Sequence, residues 1–461
     1  MFMLNEMDKI TTQLACLSPL DGRYYNKTKE LRPYFSEYGF FKYRLTVEIG
    51  YLYELLNFLM DNDKIQLGII ENIKTIATGF SLSECIKIKK YEDSINHDVK
   101  AIEYYIQDEL KKYDLTKFSS FIHFGLTSQD INNTALPMMI KGCIENVYSK
   151  YLNTILKNLE KKITSWKDVV MISKTHGQPA TPTTFGKEMR VFHYRITKQF
   201  NLLKDIKYYG KMGGATGNLN AHICAYPDIN WKTFFSSFLD KFGLFHNEYT
   251  TQIDNYENLS VIFDNLKRIN TILIDFCQDV WLYISYEYLR LDINPNEVGS
   301  STMPHKVNPI NFENAEGNLL MANSILEFLS RKLPISRLQR DLTDSTLIRN
   351  IGTAFGYILI SFYNILYGID KINVNKSIIE FDNVKYQIVL IEGIQTILRK
   401  YNIVDAYEKC KEFSRKHDSI NILDLEEFVS KLDIDERIKK EIESMLDVYK
   451  YIGNSNECDK F

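Results

Sequence analysis

Apolar residues along this chain recur every third or fourth position, the separation of neighbours on one helix face. Phe41, Leu45, Ile49, Leu52, Leu56 and Leu59 keep that step through one segment. Residues 259–289 keep it longer, with Ile262, Leu266, Ile269, Leu273, Phe276, Val280 and Tyr283 alternating by four and three. Ile351, Phe355, Ile358, Phe362, Ile365 and Ile369 repeat the pattern over 345–372. Sustained 4-3 spacing predicts long, nearly antiparallel helices packed as a bundle. The 259–289 run is also apolar off its seam, at Ile272, Ile274, Leu282 and Ile284. A helix apolar on most sides needs cover on more than one of them, and further copies of the chain are the simplest source. Strand-like alternation is scarce and no βαβ rhythm is present, so the predicted fold class is all-α.

Three helical regions are predicted: 1–115, 116–370 with the long bundle helices, and 371–461 with shorter helices in NVKYQIVLIEGIQTILRKY and ILDLEEFVSKL. Hydrophobic residues make up 45% of 461, enough for a large core and against general disorder. Lys+Arg 56 against Asp+Glu 59 leaves a formal charge of −3, so no broad positive field is available for nucleic acid. An anionic ligand must be held by a few local cations. Seven cysteines lie far apart without any CxxC, as free thiols in a reducing compartment do. The opening MFMLNEMDKITTQ lacks the basic-then-apolar order of a secretory signal, and no run approaches ~18 uninterrupted apolar residues. A soluble, cytoplasmic protein without a membrane partner is expected.

Chemistry is expected where the helical pattern breaks. In NPNEVGSSTMPHKVNPINFEN, residues 294–314, Pro309 precedes a helical run and Asn308 is a candidate cap. The loop before it would lie near a helix N-terminus, which favours anions; a plain polar connection is the other reading. SKTHGQPATPTTFGKEM, 173–189, places His176 outside any helix interior, where its side chain is either a proton donor near neutral pH or an ordinary polar residue. His97 is similarly ambiguous, while His193, His222 and His417 read as structural or surface residues. Without HExxH or paired-cysteine spacing, no metal site is expected. GKMGGATGN, 210–218, lacks a closing GK[ST] and a preceding strand, so it reads as a tight turn near the site rather than a phosphate cradle.

SSTMPHKVNP, 300–309, resembles the SSxMPxKxNP pattern of the superfamily that holds fumarase, aspartase, argininosuccinate lyase and adenylosuccinate lyase. LSPLDGRY (17–24), NHDVKAIEYY (96–105), FIHFGLTSQDINN (121–133), KTHGQPATPTTFGKEM (174–189), NLNAHICAYPD (218–228), YTTQI (249–253) and SRLQRDLTDSTLIRN (336–350) are similar to the adenylosuccinate lyase family of bacterial type. The likeness runs from residue 17 to about 370 and more loosely to 453. It implies a homotetramer with sites shared between subunits, nucleotide substrates, and no cofactor. The implied reactions release fumarate from adenylosuccinate, giving AMP, and from succinylaminoimidazole carboxamide ribotide (SAICAR), giving its carboxamide product (AICAR).

By that resemblance Ser300 is the base and His176 the acid. Ser301, Lys306, Asn308, Thr127 and Ser128 fall to the succinyl carboxylates, and Gln252 to the succinyl portion. His97, flanked by Asn96 and Asp98, falls beside the acid; Arg23, Tyr24, Arg340, Ser345, Thr346 and Arg349 form the nucleotide and phosphate set, with Asn314 also on the substrate. Gln129 departs from the acid usual at that position, and no change of reaction is expected from it. Another lyase of the superfamily would share the serine loop; LSPLDGRY and RDLTDSTLIRN favour the purine substrate. A non-catalytic structural protein on this scaffold is the rival from a different class, against which both catalytic positions are present.

Overall fold

The computed structural model describes residues 13–60, 72–292, 302–415 and 420–458. Ser36 opens the first long helix, α1 (Glu37–Leu59), its hydroxyl accepting from the Gly39 N–H. Then follow α2 (Leu82–Ile95), α3 (Asp98–Lys112), α4 (Ser128–Cys143) and α5 (Ser149–Trp166). A π-helical turn, Ile144–Tyr148, carries the backbone from α4 into α5 without a break in helicity. After a hairpin of β1 (Val170–Thr175) and β2 (Gln178–Thr184) come α6 (Phe185–Asp205), α7 (Glu257–Ser285), α8 (Ile310–Lys332) and α9 (Ile351–Lys371). Strands among the described residues occur only as three two-stranded pairs.

The seams predicted from spacing are buried over most of their length, with Leu59 and Tyr283 at their ends half-buried. Ile262, Leu266, Ile269, Leu273, Phe276 and Val280 on α7 are all inaccessible, as are the six predicted positions of α9. On α6, Phe185, Met189, Phe192, Ile196, Phe200 and Leu203 form a comparable buried stripe. Of the off-seam positions of α7, Ile272 and Ile274 are covered within one chain, whereas Leu282 is 40% exposed. Trp281, Leu320, Met321 and Phe328 on α7 and α8 are exposed as well.

Two compact units divide the chain. The first comprises Met1–Leu152, Gln199–Thr271 and Gly317–Tyr363; the second comprises Asn153–Lys198, Ile272–Glu316 and Asn364–Phe461. In the first, Phe41, Leu45 and Leu52 of α1 pack with Ile88 of α2 and Ile102 and Ile106 of α3. In the second, Val170 and Ile172 of β1 join Leu390, Ile394, Leu425, Val429 and Ile442 in one core. The Thr343–Lys371 run is long and apolar enough to cross a membrane by length and composition, and 67% of its most apolar window is buried, as expected of a core helix.

Candidate active site

In the first unit the chain reaches α4 through a cramped turn. His123 and Gly125 both have left-handed backbone, φ 56° and 66°. A β-carbon on Gly125 would lie 2.7 Å from the His222 ring, so glycine is required there by backbone and space together. Thr127 then caps α4 and Ser128 is its first residue, with the Thr127 N–H donating to Asp130 Oδ2 at 2.9 Å. Asp130 is fully buried, as is Lys211, whose Nζ reaches Oδ1 at 2.6 Å. The N–H groups of Gly213 and Gly214 donate to the same carboxylate at 2.9 and 3.0 Å. The 210–218 stretch is therefore a tight turn folded onto the start of α4, close to Thr127 and Ser128.

That turn carries the next group of expected site residues. The Ala215 carbonyl accepts from Gln252 Nε2 at 3.1 Å, and Gln252 Oε1 accepts from Arg340 Nη1 at 3.3 Å. Arg340 Nη2 donates to Ser345 Oγ at 3.1 Å, and Gln129 Nε2 approaches the same oxygen at 3.5 Å. Gln129 is buried, and its amide oxygen lacks a protein partner. Gln252, Arg340, Ser345 and the Thr127–Ser128 corner are thus one connected cluster. Thr346, the residue after Ser345 in the same short helix, is exposed.

A second cluster forms around the start of α3. Asn96 ends α2 in left-handed conformation, and His97 caps α3 by accepting the Lys100 N–H at Nδ1, 3.0 Å. With Nδ1 used as an acceptor, the neutral ring carries its proton on Nε2, directed away from the cap. Asp98 bridges Arg44 at 2.8 Å and Arg349 at 3.1 Å, and Arg349 also reaches Glu37 at 3.0 Å. Burial opposes the Asp98 charge, but Arg44 and Arg349 outweigh it and hold its pKa below the ordinary value. Arg349, expected in the nucleotide and phosphate set, is shared by two carboxylates. Arg23 is exposed, 6.0 Å from the Tyr24 ring centroid.

Behind the Gly125 turn lies a pair that motif reading missed. His123 Nδ1 meets Glu48 Oε1 at 2.5 Å, with the Glu48 side chain fully buried. Burial alone would lower the His123 pKa, but the Glu48 charge and hydrogen bond prevail and raise it to about 9. A group whose folded pKa is raised stabilises fully below its unfolded value and loses that contribution as pH climbs through the folded one. Glu48→Gln is therefore expected to lower the denaturant midpoint clearly at about pH 6 and little at about pH 10; equal losses at both would remove the ion pair from the account. His222 behaves oppositely, burial pushing its pKa down to about 4. Tyr51 donates to the Phe124 carbonyl at 2.7 Å, leaving its oxygen to accept from His222 Nε2 at 3.1 Å. His222 is structural, as expected.

The remaining expected residues belong to the second unit. His176 and Gly177 form the two-residue turn between β1 and β2, both left-handed at φ 52° and 73°. Such a turn matches the twist of paired strands. The element is a β-hairpin, a departure from the all-helical pattern that prolines at 179 and 182 concealed. Its tip is exposed, and its stem is seated by Lys174, whose Nζ lies 3.7 Å from the Tyr286 ring centroid. A cavity of about 230 Å³, lined by Gly177, Glu188, Asp279 and Tyr283 among others, adjoins the turn.

Lys306 is exposed at the end of a turn, Met303–Pro304–His305–Lys306, closed by the Lys306 N–H on the Met303 carbonyl at 3.0 Å. Pro309, not Asn308, immediately precedes α8, and its carbonyl accepts from the Phe312 N–H at 3.0 Å. Asn314 Oδ1 accepts from Asn364 Nδ2 at 2.8 Å, a contact between α8 and α9. Ser300 and Ser301 lie outside the described residues.

Gln252, Arg340, Ser345 and the Thr127–Ser128 corner thus form one cluster of the first unit, and His97, Asp98 and Arg349 a second, while His176 lies on a hairpin of the second unit. Lys211, Glu48 and His123 went unpredicted. The spacing Thr127–x–x–Asp130, a cap followed three residues later by an acid, was the available signal for the hub at α4.

A family model described as Lyase matches residues 22–323, and one described as Adenylosuccinate lyase C-terminal matches residues 336–452. The crystal structure of a fumarate lyase from Mesorhizobium sp. BNC1 is similar with a TM-score of 0.73 at 15% identity, over 94% of this chain and 96% of that one. At that identity the likeness speaks for the fold alone. Fold and family model define a helical lyase. The adenylosuccinate lyase of Dictyostelium discoideum is 45% identical over 95% of this chain and 97% of its own length. That of Buchnera aphidicola subsp. Acyrthosiphon pisum is 42% identical over 97% and 98%. The chain belongs to the adenylosuccinate lyase family.

Proposed function

We propose that the chain releases fumarate from adenylosuccinate, giving AMP, and from SAICAR, giving AICAR, with His176 as acid and Ser300 as base. The observation that carries this reading is near-full-length identity to adenylosuccinate lyases, 45% to that of Dictyostelium discoideum. The connected Gln252–Arg340–Ser345 cluster beside Thr127 and Ser128 adds local support.

The base removes a proton from the succinyl carbon next to a carboxylate, and the electron pair spreads into that carboxylate as an aci-carboxylate dianion. The pair then forms the C=C bond of fumarate as the C–N bond breaks, and the His176 imidazolium protonates the departing nitrogen. Donors fixed where charge develops lower this barrier. The N-terminus of α4, which Thr127 caps and Ser128 opens, supplies the positive end of a helix, with Lys306 and Asn308 as further succinyl contacts. A serine hydroxyl needs nearby cations and oriented dipoles to act as a base, a task for Lys306 and Ser301. Arg23, Tyr24, Arg340, Ser345, Thr346 and Arg349 take the nucleotide. His97, with Nδ1 held in its cap, offers Nε2–H to the substrate.

A homotetramer with shared sites completes the proposal, in a cytoplasmic setting and with the three regions 1–115, 116–370 and 371–461. Exposed Trp281, Leu282, Leu320, Met321 and Phe328 on α7 and α8 support burial against other copies. The test is fumarate release, followed by absorbance, from adenylosuccinate and SAICAR against argininosuccinate and malate. Turnover of both succinyl nucleotides alone is expected; preference for argininosuccinate or malate overturns the substrate assignment.

A further inference from the structure

A buried ion pair is costly, and well-packed apolar residues often stabilise as well or better. Asp130 and Lys211, with side chains wholly inaccessible, therefore call for a reason beyond stability. An apolar pair could not accept hydrogen bonds from backbone on two separate segments. Asp130 does: its carboxylate takes the Thr127 N–H from the start of α4 and the Gly213 and Gly214 N–H groups from the turn. Lys211 ties the same turn again by donating to the Gly214 carbonyl at 3.0 Å.

The turn is also packed closely against a neighbouring segment. Gly217 has φ 80°, and a β-carbon there would lie 2.1 Å from the Thr250 carbonyl oxygen. The turn is thereby pressed onto the segment that bears Gln252, whose amide donates to Ala215. One carboxylate thus sets the positions of Thr127, Ser128 and Gln252, the three groups of this unit placed on the succinyl end. Lys211 also cancels the Asp130 charge within the first turn of α4, leaving the positive helix end for an anion.

We propose that Asp130 and Lys211 are a positioning pair that holds the succinyl-binding corner in register, an inference resting on the functional reading above. Two variants test it. Asp130→Asn with Lys211→Met removes both charges at similar volume, and Asp130→Glu keeps the charge while pushing the turn outward. Assembly state, thermal midpoint, KM and kcat for adenylosuccinate, and inhibition by AMP are measured for each. AMP lacks the succinyl portion and gauges the nucleotide set alone.

At least one variant is expected to assemble as the wild type does, with KM for adenylosuccinate raised at least tenfold and the AMP inhibition constant changed less than threefold. An assembled variant with wild-type KM, or with KM and the AMP constant raised together, overturns the proposal. Failure of both variants to assemble also overturns it, making the pair a folding requirement. Wild-type protein that releases no fumarate would fault the functional reading instead.

Discussion

His176→Ala is expected to lower kcat by about 10²–10⁴, the usual scale for losing a general acid, with KM moving far less. The residue sits at the tip of a two-residue hairpin turn, exposed, where its ring supports no core. Register across the stem is kept by Thr175 opposite Gln178 and Lys174 opposite Pro179, and by Lys174 over Tyr286. Removing the imidazole therefore leaves the hairpin in place. Alanine at φ 52° carries a left-handed penalty of about 1–2 kcal/mol, so His176→Asn, which tolerates that backbone, is the control. Equal loss in both variants, with unchanged circular dichroism, assigns the defect to the missing acid. Near-normal turnover in the Asn variant would end the assignment.

Ser300→Ala is expected to reduce kcat on the same scale of about 10²–10⁴, since without a base the succinyl proton stays in place. The resemblance of 300–309 to the superfamily's serine loop carries this prediction, for Ser300 itself lies outside the described residues. Mixing the two inactive variants gives the sharper result. If acid and base reach each site from different copies, random exchange leaves about one site in four with both groups intact. Activity should then return to about a quarter of wild type. Demonstrated subunit exchange without any recovery would mean that one copy supplies both residues.

How much of this was readable in the sequence follows from what each feature depends on. Helix seams depend on neighbours three and four residues apart, and so Ile262 through Val280 and Ile351 through Ile369 were identifiable before any coordinates. The hairpin of 170–184 was not, because Pro179 and Pro182 break strand alternation and its stability comes from packing of Val170 and Ile172 with Leu390 and Ile394, more than two hundred residues on. Asn308 looked like a cap by type, yet the helix begins one residue later, a boundary that local sequence sets only loosely.

The site divides along the same line. Order and spacing of short motifs determined the family and which residues were candidates, because such motifs are local and keep their residue types wherever the chain goes. Only tertiary structure decided which candidates meet. It joined Gln252 to Arg340 across 88 residues and Lys211 to Asp130 across 81, and paired Arg349 with Glu37 and Asp98. Buried charge must find its partner wherever the fold brings one, at separations on which no sequence period bears.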